Sequence, residues 1–171
     1  MRTIIGFIAL ILTIMATSCN SGNSEQKIQT QDAIENIMSR KSVRKYLPKP
    51  VEKEKVQTLL KAGMAAPSGK DVRPWEFVVV TDRAALDSMA AALPYAKMLT
   101  GAPMAIVVCG DTTKSSYWYL DCSAATQNIL LAAEALDLGA VWTAAYPYDD
   151  RMAVVSQYTA LPEHIKPLCV I

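Results

Sequence analysis

Residues 65–80 read "AAPSGKDVRPWEFVVV", and the rest of the fold can be read outward from them. An apolar helical pattern stops before Pro67, because a residue that precedes proline is pushed out of the helical region. Ser68-Gly69 permits a tight turn with exposed donors. Lys70, Asp71 and Arg73 then crowd together before Pro74-Trp75 opens a short hydrophobic run ending at Val80 and interrupted only by Glu76, the pattern of a strand. On residue type alone this is either a plain helix-to-strand connection carrying a surface ion pair, with Trp75 filling core, or a polar loop built to hold something.

Upstream, a helix beginning near Pro50 should bury Val56, Leu59, Leu60 and Met64. Before it stands the basic segment "SRKSVRKYLPKP". Earlier still, Thr30 can cap a helix with Ala33, Ile34, Ile37 and Met38 on one face. Downstream, Thr81 or Asp82 caps a helix that runs to about Leu93, and Met104 to Cys109 reads as a second strand. Asp121 to Leu138 forms the longest helix, with Gly139 as the residue just past its end. Val141 to Thr143 is a third strand, Asp149 to Tyr158 a helix, and Leu168 to Ile171 a fourth strand, following the loop-like "LPEHIKP". Helices alternating with short apolar strands indicate an α/β or α+β sandwich.

The first 18 residues stand apart. Arg2 is followed by the apolar run Ile4 to Ala16, 13 residues, and then "TSCN". As a helix that run spans about 20 Å, short of the roughly 30 Å hydrocarbon core, so it reads as an export signal rather than a membrane span. Small residues ending on Cys19 predict a bacterial lipoprotein signal with Cys19 lipidated; an ordinary signal with an incidental cysteine is the alternative. Residues 19–31 are polar and suit a tether, leaving 32–171 as one domain. Without Arg2 the mature chain carries 16 basic and 16 acidic residues, a balance that points to no nucleic-acid partner. The expected location is the periplasmic side of the bacterial cell envelope, with the lipid anchor the only membrane contact.

Cys109, Cys122 and Cys169 lie in apolar stretches without paired spacing and read as buried small hydrophobes, although a disulfide stays open. With a single histidine, His164, a zinc site or a histidine-activated nucleophile is a poor fit. Arg40, Lys41, Ser42, Arg44 and Lys45 remain as the other polar constellation. If extended, the segment puts Arg40, Ser42 and Arg44 on one side, and two guanidinium forks around a hydroxyl suit a phosphate. A solvated basic loop has the same composition.

Taken together, "SRKSVRKY", "AAPSGKDVRPWEFVVV", "TQNILLAAEALDLGAVW" and "LPEHIKPLCVI" resemble, in order, four segments of the FMN-dependent nitroreductase family, over roughly Ala33 to Ile171. The resemblance implies an α+β three-layer sandwich, a mixed central sheet with flanking helices, in an intertwined homodimer with FMN at the interface. It also implies a ping-pong oxidoreductase passing electrons from NAD(P)H or another reductant to a small planar acceptor such as a nitroaromatic, a quinone or flavin. Arg40, Lys41, Ser42 and Arg44 would face the flavin phosphate and pyrimidine. Pro67, Ser68, Gly69 and Asp71 would reach the partner's flavin, Lys97 would sit near N1/O2, and the amides of Ala144 and Ala145 would approach N5. The flavin carries the chemistry, so no catalytic side chain is implied. Tyr95 or Tyr148 would shape the acceptor pocket.

Three departures accompany the resemblance. Asp71 and Arg73 stand where the family has Asn and Gln, and are expected to pair with each other. The family continues past the point matching Ile171 into a segment that helps hold the phosphate, so the domain reads as incomplete at its C-terminus. An exported domain would also be parted from cytoplasmic nicotinamide cofactors, which leaves open a second reading, a lipoprotein that binds flavin without turnover.

Overall fold

The computed structural model describes residues 33–171; Cys19, the signal and the tether lie outside them. Its elements are α1 (Ala33–Ser39), α2 (Lys53–Met64), β1 (Trp75–Val80), α3 (Arg83–Ala92), β2 (Ala105–Asp111), α4 (Trp118–Ala135), β3 (Thr143–Ala144), α5 (Asp149–Thr159) and β4 (Ile165–Val170). The sheet order is β1-β2-β4-β3, and each of its three ladders is antiparallel. This corrects the expected mixed sheet: among the described residues the parallel pairing is a single bridge between Ser42 and Ala140, outside the strands.

β2 is buried along its whole length, and its side chains alternate between two cores. Val107 and Cys109 join Val80, Leu86, Met89 and Val155 under α3 and α5. Ile106 and Val108 join Leu59, Trp75, Trp118 and Ile129 under α2 and α4. The sheet is therefore the middle of three layers, and Trp75 is core. Burial pushes the Cys109 and Cys169 thiols up to about 12 and raises Cys122 as well; all three are reduced, buried and inert at neutral pH.

Several local expectations change. α2 starts at Lys53 because Glu52 is extended, its carboxylate held by Lys49 and Lys55. Met64 is exposed, not buried, as are Ile34, Ile37 and Met38 along α1. β4 begins at Ile165, inside the stretch that reads as loop. Its Pro167 is tolerated at a register shift opposite Cys109, the kind of place where a strand accepts proline. Gly139 does not end α4. Asp137, at φ 56°, takes the left-handed position, while its N–H donates to the Glu134 carbonyl and that of Leu138 to the Ala133 carbonyl at 2.9 Å. Gly139 serves a close approach instead: a Cβ there would stand 2.7 Å from Val43 Cγ1.

Candidate functional site

The loop after α2 is strained and pinned. Lys70, Asp71 and Arg73 all have positive φ, of 54°, 54° and 49°, and none is glycine. Such residues cost of order 1 kcal/mol each and persist only where the surroundings hold them. Here Ser68 holds both ends: its carbonyl accepts from the Asp71 N–H at 3.1 Å and its hydroxyl from the Arg73 N–H at 3.0 Å. The expected Asp71–Arg73 pair is present and two-pronged, with Arg73 Nε donating to Asp71 Oδ1 at 2.7 Å and the second nitrogen to Oδ2 at 3.2 Å.

The anchor beneath the loop is Asp121, which residue patterns alone do not single out. It is buried in the first turn of α4, where one carboxylate oxygen accepts the Gly69 N–H at 2.8 Å and the other the Ser115 hydroxyl at 3.2 Å. The sequence signal for it is slight, an acid in the first turn of a helix that is mostly small and apolar on its buried side. Pro67, Lys70 and Asp71 are exposed, and Ser68 and Gly69 half-buried, so the loop presents its rim outward.

The basic segment is pinned at its middle. Ser42 bridges Ala140, the Val43 N–H donates to the Ala140 carbonyl at 2.9 Å, and the Tyr46 hydroxyl donates to the Val43 carbonyl at 2.8 Å. Lys41 lies 3.6 Å from Glu134 and stays largely exposed. Arg40 and Arg44 make no ion pair among the described residues. Two guanidiniums, a lysine and a hydroxyl on one short segment, with its backbone held at Ser42 and Val43, are the donor types that suit a phosphate dianion. Behind the segment lies a cavity of about 320 Å³ lined mainly by apolar residues such as Val43, Leu59, Ile129 and Val141, with Lys45, Lys49, Glu52, Lys55 and Asp137 also on its wall.

Ala144 and Ala145 lie on the outer edge of the sheet. The Ala145 N–H is already given to the Leu168 carbonyl at 2.9 Å. Antiparallel alternation then turns the Ala144 N–H to the open side of β3, and it is this amide that can meet a ligand. Ala144 and Ala145 share a cleft with Tyr95, Ala96 and Arg151. Lys97 follows Ala96, but its ammonium is taken up by the Ala90 and Ala91 carbonyls at 2.9 and 3.0 Å, where it closes the end of α3. Tyr95 and Tyr148 meet on Arg151.

One chain does not unite these parts. The Ser68–Arg73 loop rests on Asp121 near the start of α4, whereas the basic segment rests near Glu134 and Ala140 at its far end. The rise of an α-helix puts Asp121 and Glu134 roughly 20 Å apart. The basic segment and the loop therefore lie at opposite ends of α4 within one chain.

Comparison with known proteins agrees with this architecture. The Nitroreductase family profile matches residues 37–94 and 88–171. A Methanothermobacter thermautotrophicus protein, named as a candidate NADH dehydrogenase/NAD(P)H nitroreductase, is 43% identical over 148 residues, covering 85% of this chain and 78% of the relative. A crystal structure from Bacteroides thetaiotaomicron, of a protein given the same provisional name, is 74% identical with a TM-score of 0.81, covering 82% of this chain and 83% of that one. An FMN-dependent nitroreductase from Clostridium difficile R20291 is 33% identical with a TM-score of 0.77, covering 80% and 83%. The chain belongs to the nitroreductase family of FMN-dependent oxidoreductases.

Proposed function

We propose that the protein works as a homodimer that takes electrons from NAD(P)H or another reductant and passes them, in two separate half-reactions, to a small planar acceptor of the nitroaromatic, quinone or flavin class. The observation that carries this is the division of the site by α4. A two-fold axis would set the loop of one copy against the basic segment and β3 edge of the other. Exposed Ile37, Met38, Met64 and Leu120 supply apolar surface for such a contact, and the buried Asn36 Oδ1 has no donor among the described residues. A relative from Desulfovibrio desulfuricans, 30% identical with a TM-score of 0.71, was crystallised in complex with FMN.

When bound, FMN supplies the redox chemistry. The chain's own residues do the rest. Arg40 and Arg44, with Lys41 and Ser42, would hold the phosphate by charge-assisted hydrogen bonds. The strained loop, already fixed by Ser68 and Asp121, would close the opposite side without ordering on binding, which lowers the entropic cost of association. The Ala144 N–H would orient the ring edge without adding a titrating group.

The test is a flavin titration of the domain expressed from Asn20, followed by absorbance, with the mass read by light scattering. FMN bound to a dimer is expected, and Arg40→Ala should weaken FMN several-fold by removing one charged donor. A monomer that takes no flavin would overturn the proposal, and unchanged affinity in Arg40→Ala would remove Arg40 from the site.

We also propose that Cys19 is lipidated and tethers the domain on the outer side of a bacterial membrane, a reading supported by the order of Arg2, the apolar run and the small residues before Cys19. Radiolabelled palmitate should enter the full chain in a bacterial host and be lost in Cys19→Ser. Equal labelling of both would reject the anchor.

A further inference from the structure

At the cleft beside Ala144 a guanidinium lies over two tyrosine rings. Arg151 Cζ lies 3.7 Å from the Tyr148 ring centroid and 5.2 Å from that of Tyr95. Tyr95 comes from the connection after α3 and Tyr148 from the residue before α5, so two separate segments converge on one guanidinium. Arg151 and Tyr95 line the same cleft as Ala144 and Ala145. Stacking occupies the faces of a guanidinium and leaves its rim of N–H donors, which is the part that grips a carboxylate or phosphate. Among the described residues that rim has no acceptor, and no carboxylate pairs with it.

Two further facts indicate that this arrangement is not there for the helix or the core. Arg151 is in the first turn of α5, where the helix dipole favours anions; Asp149 and Asp150 in the same turn follow that preference and Arg151 opposes it. The rings are not core either: Tyr95 is 70% and Tyr148 47% exposed. Two exposed rings and an uncommitted cation at the rim of a shallow cleft of about 10 Å³ suit an anionic group that rests on its mouth rather than inside it.

We propose that Arg151 is a substrate-specificity residue: its rim receives the carboxylate or phosphate of an aromatic substrate whose ring lies toward the Ala144 edge. The redox role of that substrate rests on the flavin reading above, whereas the anion contact is a property of this chain alone. Either an anionic acceptor or the phosphates of a dinucleotide donor present this chemistry.

The test compares wild type, Arg151→Gln and Arg151→Lys by calorimetric titration with 4-nitrobenzoate, nitrobenzene and NADH, on both FMN-loaded and FMN-free protein, with thermal melting as the check on folding. Arg151→Gln is expected to weaken 4-nitrobenzoate about tenfold relative to nitrobenzene, and to lower the ratio of their kcat/KM values by the same factor. Arg151→Lys, which keeps charge but loses the fork, should fall between. Weakening confined to NADH would support the proposal and assign the anion to the donor. Equal binding of both anions by wild type and Arg151→Gln, or no binding of either by wild type, would overturn it. A wild-type protein that takes no FMN would defeat the flavin reading, and the FMN-free titrations would still decide Arg151.

Discussion

Replacing Asp121 by alanine is expected to destabilise the domain by about 2–3 kcal/mol and to lower FMN affinity at least tenfold. The carboxylate accepts two hydrogen bonds in a buried position, from the Gly69 N–H and the Ser115 hydroxyl. Hydrogen bonds to charged groups contribute about 1.5–3 kcal/mol each, and donors left without a partner add their own desolvation cost. The second effect is conformational. Three non-glycine residues at positive φ need outside support, and Asp121 is the tie between their turn and the core. Without it the loop should relax toward ordinary backbone, so a preorganised rim becomes a mobile one. Urea unfolding reads the first effect and flavin titration the second. Asp121→Asn, which keeps an acceptor but loses the charge, should lie between. An alanine variant that melts like wild type and binds flavin equally would show that the loop holds itself.

Gly110→Ala should cost about as much in stability, through crowding rather than loss. A Cβ at position 110 would stand 2.6 Å from Trp118 Cε3 and 3.0 Å from Cys122 Sγ. The indole cannot swing clear, because Tyr146 packs edge-on against it with centroids 4.9 Å apart and Tyr119 does so at 6.0 Å. Overpacking of this kind costs about 1–3 kcal/mol. Gly101→Ala is the control: its nearest contact would be the Met98 carbonyl at 3.9 Å, and the change should stay within about 0.5 kcal/mol of wild type. Chemical denaturation of the pair decides the matter; equal stability would mean that α4 can shift outward freely. Because Gly110 and Asp121 both act on the first turn of α4, the double variant should depart from additivity.

How far the sequence carries depends on the range of the signal. β1 is legible to the residue because Pro67 and Pro74 bracket the loop before it and the apolar run after it has no competing period. α3 and its Asp82 cap follow from local pattern in the same way, and the Asp82 side chain does accept the Ala85 N–H at 2.7 Å. Pro167 hid the start of β4, since a bulge that accepts proline is created by the partner strand. Gly139 misled because glycine after a helix usually marks its end, while the contact that requires it here comes from Val43, almost a hundred residues earlier in the chain. Asp121 and Arg151 were invisible as site residues for a related reason. An acid or a base in a helix's first turn is ordinary on the page; only the fold sets one under Gly69 and the other between two tyrosines. Which strands run parallel is likewise a property of the assembled sheet.

The loop and the basic segment stand at opposite ends of α4, and in the proposed dimer that placement has a thermodynamic consequence. If each complete site takes one half from each copy, ligand binding and subunit association become two readings of one equilibrium. Ligand would hold the subunits together, and the subunits would hold the ligand, with equal coupling free energy in both directions. Affinity for FMN would then have no single value for this protein. It would rise with protein concentration, and dilution alone would release the cofactor without any change in a residue that touches it.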